Sequence, residues 1–154
     1  GLSSKELLRL YGVVCQKGIV CYGKVNQQEV KSFLERADFS ILLRPSKRYA
    51  NAGFPTKFVE SLNAGLPVIA NYTSDLQQYL IDGYNGFVVN GYTEELITDK
   101  LQKVFKQGRS VWDGMRLNAL RTAKINFDYK LYTRQLVPFM SEMNSWNENN
   151  RIIN

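Results

Sequence analysis

Four basic residues and one carboxylate lie close together in the first half of this sequence. The basic residues are Arg44, Lys47, Arg48 and Lys57, and the carboxylate is Glu60. Arginine and lysine make charge-assisted hydrogen bonds to phosphate oxygens, so this cluster indicates a site for a phosphate-bearing ligand. A solvated basic loop is the alternative, because lysine and arginine are common on protein surfaces.

The segment from Gly53 to Pro55 adds a second indication of anion binding. Gly53 lacks a Cβ, which lets the backbone approach a ligand closely. Pro55 is suited to the first turn of a helix, where its missing N–H costs nothing. The free N–H groups near Thr56 and Lys57 would then lie at the positive end of the helix dipole, where an anion is stabilised. On its own, however, Gly-Phe-Pro is also compatible with an ordinary loop turn.

Glu60 lies about one helical turn beyond this helix start, on the face that it shares with Thr56 and Lys57. One turn rises about 5.4 Å, roughly the distance from a diphosphate to the ribose of the same nucleotide. A carboxylate that accepts from two ribose hydroxyls is a common means of binding the sugar. The alternative is a surface ion pair with Lys57, worth less than about 1 kcal/mol. The residues alone leave both interpretations open.

The composition excludes several kinds of chemistry. The 154 residues include no histidine, which rules out histidine triads and histidine metal sites in this chain. The formal net charge of +6 favours an anionic partner or serves solubility. Cys15 and Cys21 match no metal or redox spacing, so we interpret them as free, buried small apolar residues in a reducing compartment. No apolar run approaches the length of a membrane span.

Short apolar strands alternate with amphipathic helices along the chain. The strands are predicted at residues 19–22, 39–43, 67–70 and 87–89, the second of them buried on both faces. Helices are predicted at about 4–16, 56–65, 75–80, 93–107 and 111–146, the last with a break at 126–128. A further helix is predicted to begin after the Asn26 cap. This alternation predicts an α/β fold with a parallel sheet and right-handed crossovers. Ligands of such sheets bind outside the carboxyl ends of the strands, which selects the loops 23–26, 44–55, 71–75 and 90–93.

The segment "GFPTKFVESLNAGLPVI", residues 53–69, resembles the nucleotide-sugar-binding core of group 1 glycosyltransferases. These are retaining enzymes of GT-B fold, with two Rossmann-like domains. The segments "IVCYGKVNQQEV", "LERADFSILLRPS" and "DLQQYLIDGYNGFVV" are similar to neighbouring parts of the same family pattern. The resemblance covers about residues 19–107 in order.

The resemblance implies a role for each matched position. Glu60 would bind the donor ribose. Backbone groups of Gly53, Phe54, Pro55 and Thr56 would contact the diphosphate and the donor sugar, and Gly23, Lys24 and Val25 would line the base. Arg44 and Lys57 are our candidates for stabilising the diphosphate. The family works without a bound metal or cofactor, on a UDP- or GDP-linked donor, so basic groups and helix N–H donors must stabilise the leaving group.

Two departures from the family pattern stand out. Many members carry a second glutamate eight residues before the ribose-binding one, where this chain has Ala52, and its neighbours Tyr49, Ala50 and Asn51 offer no close substitute. The catalytic Arg and Lys expected after the first strand of the domain are also not recognisable, so the catalytic residues stay unassigned. We therefore expect a C-terminal fragment of a GT-B enzyme, with the early strands missing, residues 1–146 forming the donor-binding domain and 147–154 a tail.

The resemblance thus implies the donor-binding part of a retaining, metal-independent, hexosyltransferase-like enzyme acting on a polysaccharide or glycolipid. Its partners would be the nucleotide sugar and a missing N-terminal acceptor domain, through which it would associate with the inner membrane face in the cytoplasm. The isolated chain would be inactive. A catalytically degenerate domain that serves protein interaction is the alternative. Nucleic-acid binding rests on the net charge alone, without interleaved aromatic and basic residues, and is not expected.

Overall fold

The computed structural model describes residues 1–150, which form seven α-helices and three β-strands. The helices are α1 (Ser4–Tyr11), α2 (Gln27–Arg36), α3 (Arg48–Asn51), α4 (Thr56–Asn63), α5 (Glu94–Phe105), α6 (Arg109–Asn126) and α7 (Thr133–Asn150). The strands are β1 (Ser40–Leu42), β2 (Val68–Ala70) and β3 (Gly86–Val88), and 3₁₀ helices span Ser74–Gln78 and Tyr129–Leu131. The chain divides into two compact units, residues 1–37 and the residues from Asp38 onward.

The first unit begins with a capping box, as the sequence predicts. The Glu6 N–H donates to Ser3 Oγ at 3.3 Å, and the Ser3 N–H donates to Glu6 Oε2 at 2.7 Å. The helix is shorter than the predicted 4–16, because Gly12 adopts φ 66° and its N–H caps the carbonyl of Leu8. This left-handed conformation, which suits glycine, ends α1 at Tyr11.

The predicted strand at 19–22 was wrong. Only Tyr22 pairs, in an isolated antiparallel bridge with Ser3, and Ile19 and Val20 are exposed. A β-rich run becomes a strand only when a neighbouring strand satisfies its backbone groups, and this run finds a single partner residue. The Asn26 cap is confirmed, since its side chain and that of Glu29 form a second capping box at the start of α2.

The second unit is built on a parallel three-stranded sheet in the order β1-β2-β3. Successive residues of β2 and β3 contact opposite layers, as the twofold side-chain alternation of a strand requires. On one face Val68, Ala70 and Val88 pack against Phe58 and Leu62 of α4 and Ala119 and Ala123 of α6. On the other face Ile69, Phe87 and Val89 pack against Val104 of α5 and Met115 of α6. The expected α/β, Rossmann-like fold is confirmed.

Several predicted boundaries need correction. In β1, Ile41 is 54% exposed, so this strand is not buried on both faces; β2 is its one partner among the described strands. Residues 75–80 do not form an α-helix, because non-helical backbone angles at Asp75 interrupt the 3₁₀ segment. The break before α7 is confirmed at Phe127, which ends α6. Helix α7 continues to Asn150, into the predicted tail, and 151–154 lie outside the described residues.

No helix within residues 1–150 is both long enough and apolar enough to cross a membrane. This agrees with the absence of a long apolar run in the sequence.

A buried asparagine joins the loop before β3 to α6. Asn85 is fully buried; its Oδ1 accepts from the Ile81 N–H at 2.9 Å, and its Nδ2 donates to the Tyr79 carbonyl at 2.7 Å and to Thr122 Oγ1 at 3.0 Å. Removing this side chain would take a hydrogen-bond partner from two part-buried backbone groups and from the Thr122 hydroxyl, which is costly.

We therefore expect Asn85→Ala to lower the free energy of unfolding by about 2–3 kcal/mol. Urea unfolding followed by circular dichroism measures the change. Asn90→Ala is the control, since Asn90 is exposed and its replacement should change stability by less than about 0.5 kcal/mol. Equal effects of the two substitutions would contradict this assignment.

Candidate functional site

The carboxyl ends of β1 and β2 are joined by one side chain. Asn71 directly follows β2, and its Oδ1 accepts from the Arg44 N–H at 2.9 Å. Its Nδ2 donates to the Arg44 carbonyl at 2.8 Å. The Asn71 side chain thus binds the backbone N–H and the carbonyl of a residue 27 positions away. Asn71 itself is only 5% exposed. This pair of hydrogen bonds, which we call the Asn71 clamp, fixes the point from which the Arg44 side chain leaves the sheet.

Two buried polar atoms close to the clamp in sequence have no hydrogen-bond partner within the described part of the chain. One is Nη1 of the Arg44 guanidinium, and the other is Oγ1 of Thr73, a residue that is 2% exposed. Buried polar atoms are nearly always hydrogen-bonded, and those without a partner in the chain call for an explanation. A guanidinium N–H and a hydroxyl at the carboxyl ends of parallel strands are suited to the oxygen atoms of a ligand.

The turn after Thr73 is held in an uncommon conformation. Ser74 has φ 52°, the one positive φ outside glycine among the described residues. Its N–H donates to Oδ1 of Asn51 at 3.0 Å, which ties the turn to the end of α3. A left-handed backbone in a non-glycine residue is uncommon and persists where surrounding contacts impose it. Asn51 therefore positions the turn that carries Thr73.

Helix α4 starts at Thr56, as the sequence predicts. Pro55 is the residue just before it rather than its first residue, with no side chain capping the helix. The N–H groups of the first turn therefore lack a side-chain cap. A Cβ built on Gly53 would meet no atom of the chain within 4 Å, so the space beside it is open. The side chain of Phe54 is half-buried, and its ring packs against those of Phe58, Tyr79 and Phe127.

Glu60 and Lys57 form the ion pair that the sequence offered as the alternative role of Glu60. Lys57 Nζ lies 3.6 Å from Glu60 Oε2, and the two side chains are 75% and 52% exposed. An ion pair this exposed contributes at most about 1 kcal/mol, so a ligand can compete with it. The structure brings these two predicted residues together on one face of α4 and leaves the Glu60 carboxylate accessible.

The remaining basic residues and Ala52 are solvent-exposed. Lys47 precedes α3, Arg48 begins it, and Ala52 directly follows its last residue. The helix itself was not predicted, and its one buried side chain is that of Ala50. A carboxylate at position 52 would thus lie at the surface. The neighbouring Asn51 does not replace it as a free acceptor, because its Oδ1 is occupied by the Ser74 N–H.

Gly23, Lys24 and Val25 belong to the first unit. Gly23 has φ 70°, and a Cβ there would lie 3.6 Å from Cβ of Ser3. The backbone conformation alone therefore accounts for glycine at this position. Lys24 is exposed and Val25 is half-buried.

The sequence analysis selected the loop 71–75 as a place where a ligand could bind, but it did not single out Asn51, Asn71 or Thr73 as residues that shape the candidate site. A polar residue directly after the buried run 67–70 was the available signal, because such positions lie at the carboxyl end of a strand. Within the described residues no group of three or more histidine, cysteine, aspartate or glutamate side chains is arranged to hold a metal ion.

The comparisons with known proteins identify the family. The family pattern described as "Glycosyl transferases group 1" matches residues 9–119, and the chain belongs to this family. A sucrose synthase from Melioribacter roseus is 26% identical over 97 residues, and sucrose synthase 2 from Oryza sativa subsp. japonica is 25% identical over 96. These matches cover 61% and 60% of this chain but only 12% of each relative. The chain thus spans a small part of the length of the curated relatives it matches.

Solved structures show the same fold. Sucrose-phosphate synthase from Thermosynechococcus elongatus matches 92% of this chain and 33% of its own, with a TM-score of 0.70 and 16% identity. HepE from Anabaena in complex with UDP-glucose matches 90% of this chain and 35% of its own, with a TM-score of 0.66 and 18% identity. These structural neighbours and the family match confirm the predicted relationship to GT-B glycosyltransferases.

The Asn71 clamp generates a prediction about stability. Asn71→Ala removes both hydrogen bonds to Arg44 and leaves backbone groups at the sheet edge unsatisfied, so we expect a loss of about 1–3 kcal/mol in the free energy of unfolding. Denaturant titration measures it, with the exposed Asn63→Ala at the end of α4 as the matched control. A loss no greater than that of the control would show that the clamp is not a stabilising contact.

Proposed function

We propose that this chain is the donor-binding part of a retaining, metal-independent glycosyltransferase that transfers a hexosyl group from a nucleotide sugar to a polysaccharide or glycolipid. The observation that carries the proposal is the unpartnered guanidinium nitrogen of Arg44 at the carboxyl end of β1, in a domain of the group 1 family. HepE, a structural neighbour, was solved in complex with UDP-glucose, which belongs to the proposed class of donor.

Arg44 and the start of α4 would stabilise the diphosphate. Charge grows on the departing nucleoside diphosphate as the bond to the sugar breaks, and preorganised donors lower the energy of that state. The guanidinium of Arg44 supplies N–H donors and a full charge, and the uncapped first turn of α4 supplies backbone N–H groups. Lys57, three-quarters exposed, would add a positive charge at the same helix start.

Glu60 would bind the ribose of the donor. Its carboxylate lies one turn into α4 and is exposed, so both oxygens can accept hydrogen bonds from vicinal hydroxyls. Lys57 would leave its weak pair with Glu60 and interact with the phosphates, which costs little at such exposure. Gly53, Phe54, Pro55 and Thr56 would present backbone groups to the diphosphate and the sugar.

Gly23, Lys24 and Val25 would line the base, which is uracil or guanine in the donors considered. The left-handed Gly23 and half-buried Val25 offer backbone groups and apolar surface to a flat ring. The acceptor would bind to an N-terminal domain outside this chain, which would also supply contact with the inner membrane face in the cytoplasm. The chemistry needs the cleft between two such domains, so the isolated chain would bind a donor without transferring its sugar.

Replacing Glu60 tests the ribose assignment. We expect Glu60→Gln to weaken the binding of UDP or GDP about 10–100-fold, because the acceptor loses its charge and one of its two oxygens is replaced by an amide nitrogen that cannot accept a hydrogen bond. Isothermal titration calorimetry on the full chain measures the affinity, after a thermal-shift screen of nucleotide sugars has selected the base. Glu95→Gln on α5 is the control and should leave affinity unchanged. Failure of the unmodified chain to bind any nucleoside diphosphate or nucleotide sugar would overturn the proposed function.

Replacing Arg44 tests the diphosphate assignment. We expect Arg44→Gln to weaken binding of the nucleoside diphosphate about tenfold while leaving the weaker binding of the nucleoside unchanged, because the nucleoside lacks phosphates. Titration of the nucleoside and of its diphosphate at two salt concentrations identifies the electrostatic part of the affinity, since interactions between charges weaken with salt. Arg121→Gln on α6 is the matched control. An equal loss for the nucleoside and its diphosphate would place Arg44 away from the phosphates.

A catalytically degenerate domain that serves protein interaction is the second candidate, and Ala52 is the observation that favours it. The position is exposed beside the candidate site and carries no acid. Turnover of candidate nucleotide sugars by the full-length protein discriminates between the two functions. If the full-length protein binds a donor without turnover, and Ala52→Glu restores turnover, the lost activity is assigned to this position.

A further inference from the structure

Cys15 and Cys21 are brought into contact in the first unit. Their Sγ atoms lie 2.8 Å apart, both thiols are free, and both residues are half-buried rather than buried as the sequence suggested. The intervening chain folds back through a turn in which the Ile19 N–H donates to the Gln16 carbonyl, and Gly18 adopts φ 92°. This conformation places two thiols within reach of one reagent.

The two thiols differ in acidity. The hydrogen bond between the two thiols lowers the pKa of Cys15, and the hydrogen bond with Ser4 lowers it further. The same contact with Cys15 raises the pKa of Cys21, and burial adds to that rise. Of the two sulfurs, that of Cys15 is therefore the one that loses its proton more readily to give thiolate, which is the nucleophilic form.

We propose that Cys15 and Cys21 form a thiol–disulfide exchange site whose co-reactant is a low-molecular-weight disulfide such as glutathione disulfide. The Cys15 thiolate attacks one sulfur of the reagent, forming a mixed disulfide and releasing the first thiolate. Cys21 then loses its proton to solvent and attacks Cys15 Sγ, which forms the intrachain disulfide and releases the second thiolate. The protein loses two electrons and two protons overall, and the reagent is reduced to two thiols.

Neither cysteine is among the residues proposed to bind the sugar donor. In a reducing compartment the pair remains a dithiol and becomes a disulfide only when the disulfide reagent accumulates, as is typical of redox-responsive intracellular cysteines. The contact between the two sulfurs favours closure over a stable mixed disulfide, because the resolving thiol is already beside the attacked sulfur.

Oxidation of the full chain with glutathione disulfide tests the proposal. We expect the intact mass of the monomer to fall by two hydrogen atoms, the Cys15–Cys21 linkage to appear in peptide mapping, and dithiothreitol to reverse both. In Cys21→Ser the reaction should stop at a stable glutathione adduct on Cys15, because the resolving thiol is absent. Stable adducts on both cysteines of the unmodified chain, or covalent dimers in place of the intrachain bond, would overturn the proposal.

Limited alkylation of the unmodified chain tests the order of attack without any variant. Substoichiometric iodoacetamide at neutral pH should label Cys15 at least about threefold more than Cys21. The preference should disappear in concentrated urea, where the contacts among Ser4, Cys15 and Cys21 are lost. Equal labelling in the folded chain, or an excess on Cys21, would overturn the assignment of Cys15 as the attacking thiol.

Discussion

The Asn71 clamp is the contact on which the geometry of the candidate site depends. The ladder between β1 and β2 ends at the pair of Leu42 with Ala70, and backbone groups beyond it need other hydrogen-bond partners. The Asn71 side chain supplies one acceptor and one donor to the backbone of Arg44, which lies two residues beyond the end of the ladder in β1. Arg44 therefore begins the long loop from a fixed backbone, and its guanidinium starts from a defined position.

The second support of the site is the burial of one face of α4. Phe58, Ser61 and Leu62 are buried, whereas Lys57 and Glu60 are exposed on the same helix. Turning the helix to hide Glu60 would expose the two large apolar side chains, which costs about 1.5–3 kcal/mol for each. The packing of Phe58 and Leu62 into the core thus keeps Lys57 and Glu60 on the exposed face of α4.

The sequence was informative where structure depends on local pattern. The two capping boxes, the start of α4 at Thr56 and the strands β2 and β3 follow from cap residues and short apolar runs. The clamp joins residues 27 positions apart, and the Asn51–Ser74 bond joins residues 23 apart. No local pattern encodes such pairings, because they depend on how the sheet and its loops come together in space.

The same distinction explains the errors and the limits of the site prediction. The run 19–22 has strand-like residues but only Ser3 as a partner, and a partner is a property of the whole fold. The basic residues were visible in the sequence, yet only Arg44 has a buried, unpartnered nitrogen among the described basic side chains, while Lys47 and Arg48 are exposed. Burial strengthens an electrostatic interaction because water screens it less, so equal formal charges make unequal contributions. Arg44 is accordingly the basic residue whose position, rather than its charge alone, supports a role at the phosphates.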